Sequence, residues 1–270
     1  MKGASVKIKY GIALLCMSFN ICCLNSRDIK KIGYAIWYNE TSLRKEQLAF
    51  WSEHESFPSF GIGHAIWFPE GVTSPFTEQF PLLCSYLEKN NVKLPLWLKK
   101  AKTTGAPWQS RIEFMQDTQK RAELIGLLSS TIDLQTRFMI ERFEKRVPLL
   151  LKAVPPKKKK QVVENIRLLK SSLLGMYGLI DYLNFKGDGL NPQEEVHGYR
   201  WGLAQVLIDM PAGLTCDNVA RAFSVSAAKR LLKLIENSYP SYARVKYLSG
   251  WMKRVNSYSD PEVFNQFSLK

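Results

Sequence analysis

From Phe80 to about residue 237, apolar side chains return every three or four positions, and prolines break the run into segments. A chain with that period buries stripes of helix rather than faces of a sheet, so most of it must fold as helices packed on helices. Pro81 suits the first turn of a helix carrying Leu82, Leu83, Tyr86 and Leu87, where a missing N–H is no loss. Pro107 predicts the start of a second segment through Ile112, Met115 and Leu124 to Leu128. Residues 131–147 put Leu134, Phe138, Met139 and Phe143 on one face, and Pro148 is expected to end them. A long helix is expected from Gln161 to Leu183, with others near 200–210 and 217–237. Pro155-Pro156 and Lys157–Lys160 read as a solvated loop, with a nucleic-acid or membrane contact as the sharper alternative.

Ahead of this body, Ile32, Ala35 and Ile36 predict a short helix ending near Glu40. Residues 55–75 mix Gly and Pro with alternating apolar residues, the pattern of turns and short strands. The fold class is therefore mainly α (α+β): a helical body with a small β-hairpin insert near the amino terminus. No internal repeat or long linker divides the chain, so residues 27–270 are expected to form one domain.

Residues 1–26 are read apart from it. Lys2, Lys7 and Lys9 precede the uncharged run Tyr10–Leu24, which is short for a membrane span and fits a secretory signal cut after Ser26. Cys22-Cys23 leaves lipidation open, and an uncleaved anchor is the third option. Cutting there removes three Lys and no acid, lowering the net charge from +14 to +11. It also leaves only Cys84 and Cys216, too few for a disulfide scaffold, either paired with each other or free. At 46% hydrophobic content the remainder can build its own core. The positive balance favours an acidic partner.

The chemistry-bearing residues cluster in the insert. Glu40 ends the first helix; Glu53 and Glu55 follow; then comes Ser59-Phe60-Gly61-Ile62-Gly63-His64. Glycoside hydrolysis needs one carboxylic acid to protonate the leaving oxygen and a second group to manage water or the oxocarbenium-like charge. The apolar neighbours Ile36, Trp37 and Tyr38 predict a raised pKa for Glu40, as a general acid requires. Period-two alternation would set Glu55, Phe57 and Ser59 on one side of an extended segment, which favours Glu55 narrowly over Glu53. Trp37 and Trp67 could offer flat platforms to a sugar ring. The bland alternative is a tight turn at Gly61 and Gly63 beside an ordinary helix end.

In these residues the chain resembles the lysozyme superfamily, closest in motif to phage-type lysozymes. That family has a catalytic Glu at the end of its first long helix, then a hairpin leading into Thr-x-Gly-x-Gly-His. Ser59–His64 match that string with Ser for Thr. The resemblance implies Glu40 as general acid, Glu53 at the family's spacing for the second carboxylate, and Gly61, Gly63 and His64 around the substrate. Glu stands where the family has Asp, and the interval from Glu40 to Ser59 is longer than the family's. The strings Gly61–Pro69 and Asp181–Gly189 are also similar to a family of uncharacterised secreted bacterial proteins, which implies secretion and a lysozyme-like fold.

A second polar and aromatic cluster, with Asp181, Asn184, Tyr199 and Trp201 among four glycines, reads either as a sugar-binding loop or as a helix-capping loop. The three His and the Cys lack ligand spacing, and no nucleotide-binding or Gly-x-Ser-x-Gly motif occurs, so no metal or cofactor is expected. The reading is a secreted or periplasmic glycosidase, of lysozyme or lytic transglycosylase type, acting on the β-1,4 linkages of peptidoglycan. Nucleic acid is not an expected partner, and a membrane enters only through the amino-terminal segment. The alternative is a catalytically silent wall-binding or scaffold protein of the same fold.

Overall fold

Helix α1 (Ser26–Thr41) is set by Asn25, whose side chain accepts from the Asp28 N–H while Asp28 returns a bond to the Asn25 N–H. The computed structural model describes residues 24–74, 76–238 and 241–267, so the signal or anchor expected over 1–26 falls almost wholly outside them. A cut after Ser26 would remove the Asn25 cap, at a cost of about 1 kcal/mol. Among the described residues, no helix is long and apolar enough to cross a membrane.

After α1 a 3-10 turn (Lys45–Leu48) leads into the expected insert. Strands β1 (Ala49–Phe50), β2 (Ser59–Phe60) and β3 (Ala65–Ile66) form an antiparallel sheet in the order β1-β2-β3, with Phe50 opposite Ser59 and Ser59 opposite Ile66. Below the sheet, Phe60, Trp67, Phe80, Trp108 and Phe114 interlock with ring centroids 4.4 to 6.3 Å apart. This aromatic layer joins the insert to the helical body. The molecule is mainly helical with one small sheet, as expected.

The helices are α2 (Phe80–Lys89), α3 (Leu96–Ala101), α4 (Arg111–Gln116), α5 (Thr118–Ser130), α6 (Ile132–Ala153), α7 (Pro156–Lys170), α8 (Leu173–Lys186), α9 (Leu203–Asp209), α10 (Val219–Ser238) and α11 (Ser241–Asn256). Several boundaries differ from expectation. The Pro107 segment begins at Arg111 instead and breaks at Asp117, because Ser110 and Asp117 each cap a new helix. Ile112 is 68% exposed rather than part of a core face. Pro148 lies inside α6, which runs on to Ala153 and gives up one backbone hydrogen bond. Pro155 caps α7, so Lys157–Lys160 are exposed helical residues and not a loop.

The expected 161–183 helix is broken after Lys170. Ser172 accepts from the Gly175 N–H and restarts the chain as α8. Gly175 is required there, since a Cβ would stand 2.2 Å from the Leu169 carbonyl oxygen. Residues Gly175–Leu183 are all buried, which makes α8 the central helix. One contiguous core runs from Ile32 to Phe267. Cys84 is buried and Cys216 exposed, both free. Burial pushes the Cys84 thiol up to about 12.

Candidate active site at the end of the first helix

Glu40 occupies the last turn of α1, where Ser42 in the left-handed conformation ends the helix. Its side chain is 16% exposed. The hairpin turn faces it. Gly61 (φ +79°) donates to the Leu48 carbonyl, and the Ile62 N–H donates to Gln135 Oε1 of α6. A Cβ on Gly61 would meet that oxygen at 2.3 Å, so glycine is needed for both backbone and space. The turn ends at His64, whose ring stacks on Phe50 and places Nδ1 3.8 Å from Glu40 Oε2. His64 Nε2 lies 3.2 Å from the Gln47 carbonyl, which can only accept, so Nε2 carries a hydrogen and Nδ1 is the face turned to Glu40.

Asn184, at the end of α8, ties the parts together. Its Nδ2 donates to the Gly63 carbonyl at 2.9 Å, and its side chain is among the groups that hold the Glu40 carboxyl below its ordinary pKa. Behind it lies a buried charge cluster. Arg254 of α11 sends Nε and Nη2 to the two Asp181 oxygens at 2.8 Å each, and Nη2 to Glu40 Oε1 at 2.7 Å. Asp181 is 0% exposed and also accepts from Tyr258 at 2.6 Å and Asn39 at 3.3 Å. The Arg254 guanidinium lies 4.2 Å from the centre of the Phe185 ring.

This arrangement reverses the expected titration of Glu40. Burial by itself pushes the carboxyl up and is the largest single influence. Arg254, then His64, and hydrogen bonds from Arg254 and Asn184 together outweigh it, so the pKa lies below the ordinary value. Free Glu40 is ionised at neutral pH. Lys186, half-buried beside Arg254, is lowered to about 7 by desolvation and then by the Arg254 charge, against an opposing pull from Glu40. Its ammonium rests 3.3 Å from the centre of the Trp251 ring.

The other sequence candidates divide sharply. Ser59 is half-buried in the middle strand. Glu53 and Glu55 are exposed, and residues 53–58 form turns instead of an extended segment, which removes the alternation that favoured Glu55. Glu53 is 73% exposed and paired to Arg111 at 3.4 Å. Trp37 (3% exposed) and Trp67 (0%) belong to the core and offer no face to a sugar. Asp181 is a buried partner of Arg254 rather than a ligand for hydroxyls. Tyr199 packs on α10, its hydroxyl donating to the Arg230 carbonyl and its ring covering the Arg230 guanidinium.

Trp201, Asn184 and Lys186 do line an open cleft of about 1010 Å³, which runs between α6, the end of α8 and the loop after it. The residues that sequence reasoning missed are Arg254 and Tyr258, in and just after a helix it did not foresee, with Asn39 and Tyr177 beside them. Asp181 at the end of an apolar helix was the one local signal, since a buried carboxylate demands a cation.

The assembly offers an ionised carboxylate, held by an arginine that a second carboxylate holds more firmly, with an imidazole nitrogen facing it; Asn184 lines the open cleft, whereas Glu40 and His64 do not. No family model, curated protein or solved structure matches this chain.

Proposed function

We propose that the protein is a secreted or periplasmic glycosidase, of lysozyme or lytic transglycosylase type, that cleaves β-1,4 linkages of peptidoglycan with Glu40 as proton donor. The observation that carries this reading is the meeting of Glu40, the Gly61–His64 turn and Asn184 beside the open cleft. Location rests on the basic, apolar amino-terminal run alone. Glu40 must be protonated to act as an acid, and in the free protein it is not. A sugar seated over it excludes water and strengthens the desolvation that already pushes its pKa up. Arg254 opposes this and is the strongest of the influences that hold Glu40 ionised, so the seated sugar must also loosen that contact. His64 Nδ1, 3.8 Å from Glu40 Oε2, is the group placed to hand it a proton when the imidazole carries one there. Wild-type protein should release soluble muropeptides from purified sacculi, and Glu40→Gln should lower the rate 10²–10⁴-fold while leaving binding intact. Wild-type rates from Glu40→Gln would sink the assignment.

One observation favours a second reading, a wall-binding protein without turnover: Glu53 and Glu55 point into solvent and Glu40 is held ionised. Binding to sacculi that survives Glu40→Gln, with no product from wild type at any pH, selects it.

A further inference from the structure

Arg142, Lys145 and Arg146 recur at i, i+3 and i+4 on α6, so they share one helix face, and all three line the cleft. Two of the three already have acidic partners. Arg146 Nε lies 3.4 Å from Asp188 Oδ2, and Lys145 lies 3.9 Å from Glu141. Arg142 differs. Half-buried, it has no hydrogen bond and no carboxylate within 4 Å among the described residues, and its nearest ring is Phe138 at 5.8 Å. It also borders the small hollow between Gly63 and Asn184, next to the Glu40 site.

We propose that Arg142 is the specificity residue of this cleft and binds a carboxylate carried on the glycan. The inference rests on the glycosidase reading and names what the substrate must bear. A guanidinium drawn out of water without a partner is costly, and its planar fork fits a carboxylate with two parallel hydrogen bonds. Burial and the like charge of Arg146 lower its pKa to about 10, with Asp188 opposing, which leaves it fully charged at neutral pH. Leu82 and Leu149, 57% and 40% exposed, line the same cleft. The cleft therefore suits a carboxylate on a short apolar stem, such as a lactyl or amino-acid substituent, over a ring carboxylate surrounded by hydroxyls. A cationic glycan is disfavoured here by the same row of charges.

Calorimetric titration of the full chain tests this with three polymers: wall glycan bearing free lactyl-peptide carboxylates, the same glycan with those groups converted to methylamides, and polygalacturonate. Wild type should bind the first about tenfold more tightly than the second, the size expected for a charged hydrogen-bonded contact, and more tightly than the third. Arg142→Gln should bind the first two equally, and Arg142→Lys, which keeps charge without the fork, should fall between. A matched thermal midpoint for the variants confirms folding. In parallel, the Arg142 Nε–H resonance should move on adding N-acetylalanine but not its methylamide. Equal wild-type affinity for free and amidated glycan overturns the inference while leaving the glycosidase reading in place. A resonance that moves with N-acetylalanine while no glycan binds keeps the carboxylate site and removes that reading. A resonance that moves with neither probe overturns the site.

Discussion

Asp181 and Glu53 are both carboxylates paired with an arginine, and their fates are opposite. Asp181 is sealed at the meeting of α1, α8 and α11, with Arg254, Tyr258 and Asn39 supplying its side-chain hydrogen bonds among the described residues. Glu53 stands 73% exposed on a turn, with Arg111 at 3.4 Å. The difference lies in what replaces water. A carboxylate on a loop keeps its hydration, so its partner is optional. One held where three helices converge has lost it, and the partner becomes a condition of folding. Glu40 sits between these extremes, partly dehydrated at 16% exposure and paired with Arg254.

Removing Arg254 should show the contrast at its largest. Arg254→Met leaves Asp181 buried and uncompensated, and should cost about 3–5 kcal/mol in denaturant unfolding. Adding Asp181→Leu to that variant should recover much of the loss, since an apolar pair of similar volume carries no desolvation penalty. A single-variant loss below about 1 kcal/mol would mean that the cluster does not hold the helices together. Tyr258→Phe removes one charge-assisted bond of 2.6 Å from the same carboxylate and should cost about 1–3 kcal/mol by the same measurement.

The pH dependence sharpens the comparison next, because two groups of the site shift downward with opposite consequences. Glu40 has a folded pKa below its unfolded one, so its stabilisation is present above the unfolded value and is lost as pH falls through the folded one. Glu40→Gln should flatten the acid limb of the stability curve. Lys186 is a base lowered to about 7. The unfolded chain then binds more protons from about pH 7 to about pH 10.4, so its penalty is full below pH 7 and fades as pH rises. The groups facing it are Glu40, Arg254 and the rings of Phe185 and Trp251. The carbon-13 shift of Lys186 Cε should titrate near pH 7, and a midpoint near 10 would remove the desolvated environment described here.

The helical body was legible because a 3.6-residue period survives in α2, α6 and α10, and the insert because Gly and Pro interrupt it. The site was half legible. Glu40 and the Gly61–His64 turn are local in sequence, so spacing could find them. Arg254 is 214 positions from Glu40 in the chain. It sits on α11, where Gly250 weakens the helical signal of the sequence, and no local spacing links it to a carboxylate so distant. Trp37 and Trp67 show the reverse error. An aromatic residue near a candidate site has the same sequence signature whether it floors the core or lines a cleft; the layer of Phe60, Phe80 and Trp108 claims Trp67 for the core, and Trp37 is buried on α1 beside Tyr34.

The smallest expected effects belong to the exposed loop, and they decide whether it takes part in the chemistry. Glu53→Gln and Glu55→Gln should each change unfolding free energy by no more than about 0.5 kcal/mol, since exposed carboxylates keep their water. Activity separates them for a reason that alternation did not supply. Glu53 is turned toward Arg111. At residue 55 the backbone is pinned on both sides, its N–H donating to the Ser52 carbonyl and its carbonyl accepting from Trp51 Nε1 at 2.9 Å. The side chain therefore projects from a fixed point, with no ion pair among the described residues. Release of muropeptides should fall about tenfold in Glu55→Gln and less than about twofold in Glu53→Gln, both below the roughly 10²–10⁴-fold that a proton donor contributes. Less than twofold in both would put the loop outside the chemistry and leave Glu40 without a second carboxylate there. A larger loss in Glu53→Gln would mean that Arg111 releases its partner when the glycan binds, and the Arg111→Gln variant would then gain activity rather than lose it.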